Sequence, residues 1–164
     1  MSEFTPADVV EIGTWAAEEC ARQHSGEQSC GWMLAGWLHA YEHAAELPTE
    51  TDILRVAHLV EPRFNDGTSY RRPGITPSGK RISGNVRVGA NVKCRWEEVP
   101  GRMTRLVAFL YDPKADVDPD EWYRHFEEAH PLADGNGRTG NILWNWLRGT
   151  LAHPEVPPDF WSGW

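Results

Sequence analysis

The sequence is short of cysteine, short of positive charge and without a long apolar run, and each shortage closes off a class of protein. Cys20, Cys30 and Cys94 make an odd set with no Cys-x-x-Cys pair. A disulfide scaffold or zinc knuckle is excluded on that count, and a reducing compartment is expected. Lysine and arginine number 16 against 24 aspartates and glutamates, for a formal net charge of −8. So acidic a chain repels nucleic acid and anionic membrane surfaces at long range, so neither is an expected partner. A local cationic pocket for a nucleotide is untouched by that argument. No stretch reaches the roughly 20 apolar residues that span a bilayer, and Met1 to Asp8 lack a basic start followed by an apolar run. The expectation is a soluble, cytoplasmic protein.

What is present is enough for one ordinary domain. The chain has 164 residues, 40% hydrophobic and 11% aromatic, which supports a sizeable core and rules against global disorder. Nine tryptophans are many for this length. Some are expected to brace a helical core, with Trp161 and Trp164 at a surface.

Thr5-Pro6 ahead of Ala7-Asp8 is a helix start, and Val9, Ile12, Ala16 and Cys20 recur at helical spacing. After a break near residues 25–31, Leu34, Trp37, Leu38 and Tyr41 mark a second helix from Trp32 to about Leu47. Thr49 or Thr51 caps a short helix containing Ile53, Leu54, Val56 and Val60, closed by Pro62. Residues 62–85 are turn chemistry, carrying Arg63, Arg71, Arg72, Lys80 and Arg81, the most basic stretch in the chain. Val86-Arg87-Val88 and Val92-Lys93-Cys94 alternate around Gly89-Ala90-Asn91 as a small β-hairpin does. Helices are expected again over Glu98 to Tyr111, from Asp118 with Trp122, Phe126 and Ala129 as its stripe, and beyond Thr139 to Arg148. Residues 151–164 form a Pro/Trp-rich tail expected to pack back on the helices.

The informative segment is His130-Pro131-Leu132-Ala133-Asp134-Gly135-Asn136-Gly137-Arg138-Thr139-Gly140-Asn141, joining two expected helices. Gly135 and Gly137 permit positive φ, so that consecutive N–H groups converge, and the next helix adds its own N-terminal amides: a site for phosphate. Asp134 offers a hard oxygen for Mg²⁺, and Arg138 a planar fork for phosphate oxygens. His130, neutral near pH 7, can take a proton from an attacking hydroxyl. Phosphoryl or nucleotidyl transfer requires this set. Asp-Gly and Asn-Gly are also the dipeptides of tight hairpins, but helical flanks fit a hairpin poorly.

These residues resemble the signature of Fic proteins, His-x-Phe-x-Asp/Glu-Gly-Asn-Gly-Arg-x-x-Arg. Tyr123 to Ala129 is similar to the helix that leads into it, Gly79 to Gly89 to the family's flap, and Ile53 to Val60 to its early core helix. The resemblance implies a mainly α fold, a helical bundle with a small β-hairpin flap. Residues 1–49 would pack on a core of 50–150, with the flap at about 79–95 and the active-site loop at 130–141, in one structural domain. It implies transfer of AMP from ATP to a Tyr, Thr or Ser hydroxyl of a target protein, a post-translational modification. His130 would be the base and Asp134 the Mg²⁺ ligand. Gly135, Asn136, Gly137, Arg138 and Asn141 would line the nucleotide, and Arg87 and Val88 would dock the target by strand addition. A toxin-like role with a separate, antitoxin-like inhibitor protein is also within the resemblance.

The sequence departs from that signature twice. Leu132 stands for the Phe, an apolar exchange. Asn141 stands for the second arginine, which in similar proteins contacts the terminal phosphate of ATP. Arg81, Arg87 and Arg148 are alternative cations. A phosphotransferase is an alternative, disfavoured because Gly137 is retained; a nucleotide-binding or interaction module without turnover is another. The inhibitory motif Ser/Thr-x-x-x-Glu-Gly/Asn has its nearest approach in Thr14 to Glu18, followed by Glu19, making Glu18 the candidate latch. His39 and His43 have the spacing of a two-histidine metal face but show no strong third ligand, Glu42 or Glu46 being loose additions. A solvated helix face explains them as well.

Overall fold

A computed structural model describes residues 5–160; Trp161 and Trp164 lie outside them. Two helices begin in the same way. Thr5 caps α1 (Pro6–Arg22) and Thr49 caps α3 (Glu50–Val60), each hydroxyl accepting from the N–H three residues on, at 3.2 Å. The third residue of each helix, Asp8 or Asp52, returns its carboxylate to the cap's N–H. Such reciprocal caps satisfy two otherwise unpaired donors and contribute about 1 kcal/mol each.

Between them α2 runs over Gln28–Glu42, starting and ending earlier than its apolar pattern implies. The early end has a tertiary cause. The carbonyls of Glu46 and Leu47 accept from Trp146 Nε1 at 2.8 Å and Tyr111 Oη at 2.6 Å. Those bonds hold the segment in a loop ahead of Pro48.

The remaining helices are α4 (Val99–Leu110), entered through a 3-10 turn at Trp96–Glu98, α5 (Pro119–Ala129) and α6 (Asn136–Arg148). α6 starts three residues before the expected Thr139. It is the central helix, packed on α2, α3 and α5, and every residue from Arg138 to Trp146 is buried. Gly36 lets α2 approach closely: a Cβ there would lie 2.8 Å from Val60 Cγ2 and 3.3 Å from Ile142 Cδ1. Trp37 and Trp122 are buried with their indole N–H on main-chain carbonyls, of Leu151 at 2.8 Å and Leu106 at 3.0 Å. Both therefore brace the core without an unpaired donor. The tail returns to α6, where Asn145 exchanges hydrogen bonds with the main chain of Glu155 at 2.9 and 3.0 Å.

Among the described residues the strands form two antiparallel hairpins, not one. β3 (Arg87–Val88) pairs with β4 (Asn91–Val92) around Gly89-Ala90, where the alternation placed a hairpin. β1 (Gly74–Ile75) pairs with β2 (Arg81–Ile82) within the stretch read only as turns. Two-residue, largely exposed strands leave no periodicity to read. The basic stretch is corrected in another respect. Arg71 is core, at 3% exposure, and it ties the flap to the end of α5, as described next.

Candidate active site

α5 ends at His130, whose backbone takes the left-handed conformation, φ 45° and ψ 62°. A non-glycine residue there costs on the order of 1 kcal/mol and persists only where its surroundings impose it. Arg71 does so. Its Nε donates to the His130 carbonyl at 2.6 Å, its N–H to the Pro131 carbonyl at 2.8 Å, and its remaining nitrogens to the carbonyls of Ala129, Gly84 and Cys94. One guanidinium thus joins the base-bearing turn to both ends of the flap.

The other side of the loop is closed by Asn136. Its side chain accepts from Leu132 N at 2.8 Å and donates to Leu132 O at 2.9 Å. Leu132, at 1% exposure, fills the apolar place beneath the loop. Asn65 Nδ2 donates to the Asp134 carbonyl at 2.9 Å. The loop is therefore held at 130, 131, 132 and 134 before any ligand arrives.

His130, Asp134, Gly135, Asn136, Gly137 and Arg138 line one concavity of about 450 Å³ together with Arg87, Val88 and Gly89 of the flap and with Gln23. The loop and the hairpin, some forty residues apart in sequence, share a site. Gly135, φ 76°, is the N-cap of α6; a Cβ would meet Glu61 Cβ at 3.2 Å. The first amide bonded within α6 is that of Thr139, to the Gly135 carbonyl at 2.9 Å. The N–H groups of Asn136, Gly137 and Arg138 are thus left open at the positive end of the helix.

Several expectations need correcting. Gly135 does not offer its N–H to the concavity, because Asp134 Oδ1 accepts it at 2.7 Å. Gly137 is not in the positive-φ region; among the loop's glycines only Gly135 is. A Cβ at position 137 would lie 2.6 Å from Gln23 Oε1, the end of a flexible side chain that would have to shift to admit it. Arg138 is not a free fork. Its side chain, 5% exposed, donates to the Val60 carbonyl at 3.2 Å and to Glu61 Oε2 at 3.3 Å. Glu61, wholly buried, also takes two 2.8 Å bonds from Arg63. Burial pushes the Glu61 carboxyl up, but the two arginines outweigh it and hold the group below the ordinary range.

Asn141 lies elsewhere. It is 2% exposed, accepts from Asn145 Nδ2 at 3.0 Å, and lines a separate recess with Glu19, Arg22, Tyr123 and the tail. One helical turn along α6 from Gly137, it is carried behind the mouth of the helix. Of the alternative cations, Arg87 lines the concavity. Arg81 does not, and Arg148 pairs with Glu155 at the far end of α6. Arg22, which sequence reasoning missed, shares the recess of Asn141 and pairs with Glu19. Glu18 is exposed on the outer side of α1, whereas Glu19 is buried and bonded to Gln23. The acidic residue that faces the loop's side of the protein is the neighbour of the expected one.

The imidazole of His130 is 15% exposed. Its Nδ1 is buried without a hydrogen-bond partner, so Nε2 is the nitrogen that solvent and substrate reach. Burial, then the charges of Lys93 and Arg71, push its pKa down from 6.5 to about 4. At neutral pH it is unprotonated, as a base must be. Glu127 Oε2 lies 3.8 Å from Nδ1, and burial raises that carboxyl to about 7. Glu127 was missed although its i, i+3 spacing to His130 was readable. Arg71, Glu61 and Gln23 carried no local signal.

No protein-family model matches the sequence, and no curated protein matches it. Solved structures do. A Fic family protein from Desulfovibrio desulfuricans aligns over 90% of this chain and 52% of its own, with TM-score 0.58 and 19% identity. A Fic domain containing signalling protein from Bacteroides thetaiotaomicron aligns over 96% and 71%, with TM-score 0.61 and 19% identity. Fic-1 from C. elegans aligns over 79% and 38%, with TM-score 0.50 and 22% identity. The chain spans about half the length of the first of these proteins. The likeness shows the fold: a mainly helical Fic fold with small hairpins.

Proposed function

We propose that this Fic-fold chain transfers a nucleoside monophosphate, AMP from ATP being the first candidate, to a Tyr, Thr or Ser hydroxyl of another protein. The observation that carries the reading is the shared concavity. His130 with a reachable Nε2 on a neutral ring, the three open amides of α6 and the edge of β3 all border it. His130 Nε2 would take the proton of the incoming hydroxyl as its oxygen bonds to the α-phosphorus; pyrophosphate leaves with the electron pair of the broken P–O bond. The amides of Asn136, Gly137 and Arg138 and the α6 dipole would receive phosphate oxygens. Arg87 stands where a further oxygen could be met.

The residues present fit Mg²⁺. Asp134 lines the concavity with its carboxylate exposed, and a single carboxylate suits a cation that keeps phosphates and water as its other ligands. Bound there, Mg²⁺ would neutralise phosphate charge. Among the described residues β3 pairs only with β4, and it exposes Val88 at 43%, so an extended target segment can add to its free edge. Among the described residues no helix is long and apolar enough to cross a membrane.

A second reading is a nucleotide-binding or interaction module. It is favoured by Asn141 facing its own recess and by Arg138 being committed to Glu61. Incubation with lysate, Mg²⁺ and ATP labelled at the α or γ phosphate separates the two. Transfer of α label, abolished by His130→Ala, supports nucleotidylation. Transfer of γ label means a phosphotransferase, and nucleotide binding without transfer from any nucleotide supports the module.

A further inference from the structure

The pair His39 and His43 lacked a third ligand in the sequence, and the fold supplies one. α3 begins beside the end of α2 and brings Asp52 to them, so that one ligand atom from each residue lies within 4.8 Å of the others. We propose that His39, His43 and Asp52 form a site for a transition-metal dication of the Zn²⁺ class, clipping the end of α2 to the start of α3.

Two of the three side chains, Asp52 and His43, are already oriented by a second bond. Asp52 Oδ2 is occupied by the cap, accepting from Thr49 N at 2.9 Å and Thr49 Oγ1 at 2.6 Å. That leaves Oδ1 turned toward His39 Nε2, 3.4 Å away. In a tetrahedral Zn²⁺ site, metal–ligand bonds of about 2.0–2.1 Å put neighbouring ligand atoms about 3.3 Å apart. His39 and Asp52 therefore already stand at ligand spacing. His43 Nδ1 lies 2.7 Å from the His39 carbonyl; that bond requires the proton on Nδ1 and leaves the Nε2 lone pair free. A ligand histidine is held in this way, by its other nitrogen on a carbonyl. The two rings lie 4.3 Å apart, tilted by 33°.

Two imidazoles and one carboxylate select borderline metals over Mg²⁺, and three protein ligands leave a fourth position for water. The C-terminal carbonyls of α2 add to the attraction for a cation. None of the three residues lines the concavity of His130, so the site is independent of the proposed transfer reaction.

The test uses the full chain stripped of metal. Calorimetric titration with Zn²⁺ should give one site of micromolar or tighter affinity, unaffected by millimolar Mg²⁺. Thermal unfolding should move up by several degrees at saturation. His43→Gln and Asp52→Asn should each weaken Zn²⁺ binding at least about tenfold. Thr49→Ala, which loosens the cap but spares Oδ1 as a ligand, should weaken binding less than Asp52→Asn does and so separates ligation from capping. Zn²⁺ binding that survives Asp52→Asn would mean a bare histidine pair on α2 and overturn the clip. Binding that survives both ligand substitutions, or none at all in the unaltered protein, would overturn the site.

Discussion

Arg71 and His130 are joined by a 2.6 Å hydrogen bond from a buried guanidinium to the main-chain carbonyl of the residue proposed as base. The bond explains two things together. It shows how a histidine is kept in a left-handed backbone conformation, and how a flap far away in sequence is tied to the active-site loop.

Replacing Arg71 by Met should therefore be severe. Carbonyls of Ala129, His130, Gly84 and Cys94 would lose their donor inside the protein. Stranding that many buried acceptors is expected to cost about 3–5 kcal/mol. Urea unfolding measures it; a loss under about 1 kcal/mol would show that water replaces the guanidinium and that the hub is incidental.

Two glycine substitutions should have opposite signs. Gly31, in α2, has no atom within 4 Å of a built Cβ, so Gly31→Ala should stabilise by up to about 1 kcal/mol through helix propensity. At Gly140 the Cβ would meet Glu127 Oε1 at 2.7 Å, Tyr123 Cε2 at 2.9 Å and Phe126 Cδ1 at 3.1 Å. Overpacking of that kind costs roughly 1–3 kcal/mol and outweighs the propensity gain. The midpoints of denaturation should move in opposite directions; a rise for Gly140→Ala would refute the α5–α6 contact.

His130 and Glu127 make opposing contributions to stability as pH changes. Folding lowers the His130 pKa from 6.5 to about 4. Its contribution is thus whole above 6.5 and is lost as pH falls toward 4, where the unfolded chain takes up a proton that the folded one refuses. Folding raises the Glu127 carboxyl from 4.5 to about 7, so its contribution is whole below 4.5 and fades as pH rises through 7. His130→Gln should flatten the acid side of the stability profile, and Glu127→Gln the stretch between 4.5 and 7. Superimposable profiles for protein and variants would contradict both assignments.

The same pair predicts a rate effect. Above pH 7 an ionised Glu127, 3.8 Å from Nδ1, should strengthen the imidazole as a base. The ratio of transfer rates between the unaltered protein and Glu127→Gln should rise as pH crosses about 7. A ratio independent of pH would show that Glu127 acts through packing alone.

Glu18→Gly should leave transfer unchanged, because Glu18 is exposed on the outer side of α1. Only a helix-propensity loss of about 1 kcal/mol is expected. An increase in rate would restore Glu18 as an inhibitory residue.

Wherever the signal is local, residue order was enough to read this protein. The Thr5 and Thr49 caps, the 3.6-residue stripes of α3 to α6 and the alternation around Gly89 all follow from neighbours within one turn or one hairpin. Such order is set by backbone sterics and short-range hydrogen bonds, which adjacent side chains control. What folding alone decided is where distant groups meet. It turned Arg138 toward Glu61, set Asn141 in a recess with Arg22, drew Arg71 from an apparently solvated basic stretch into the core, and carried Asp52 to His39. Buried charges must find partners once water is excluded, and only the packing of α6 against α2, α3 and α5 determines which partners are within reach.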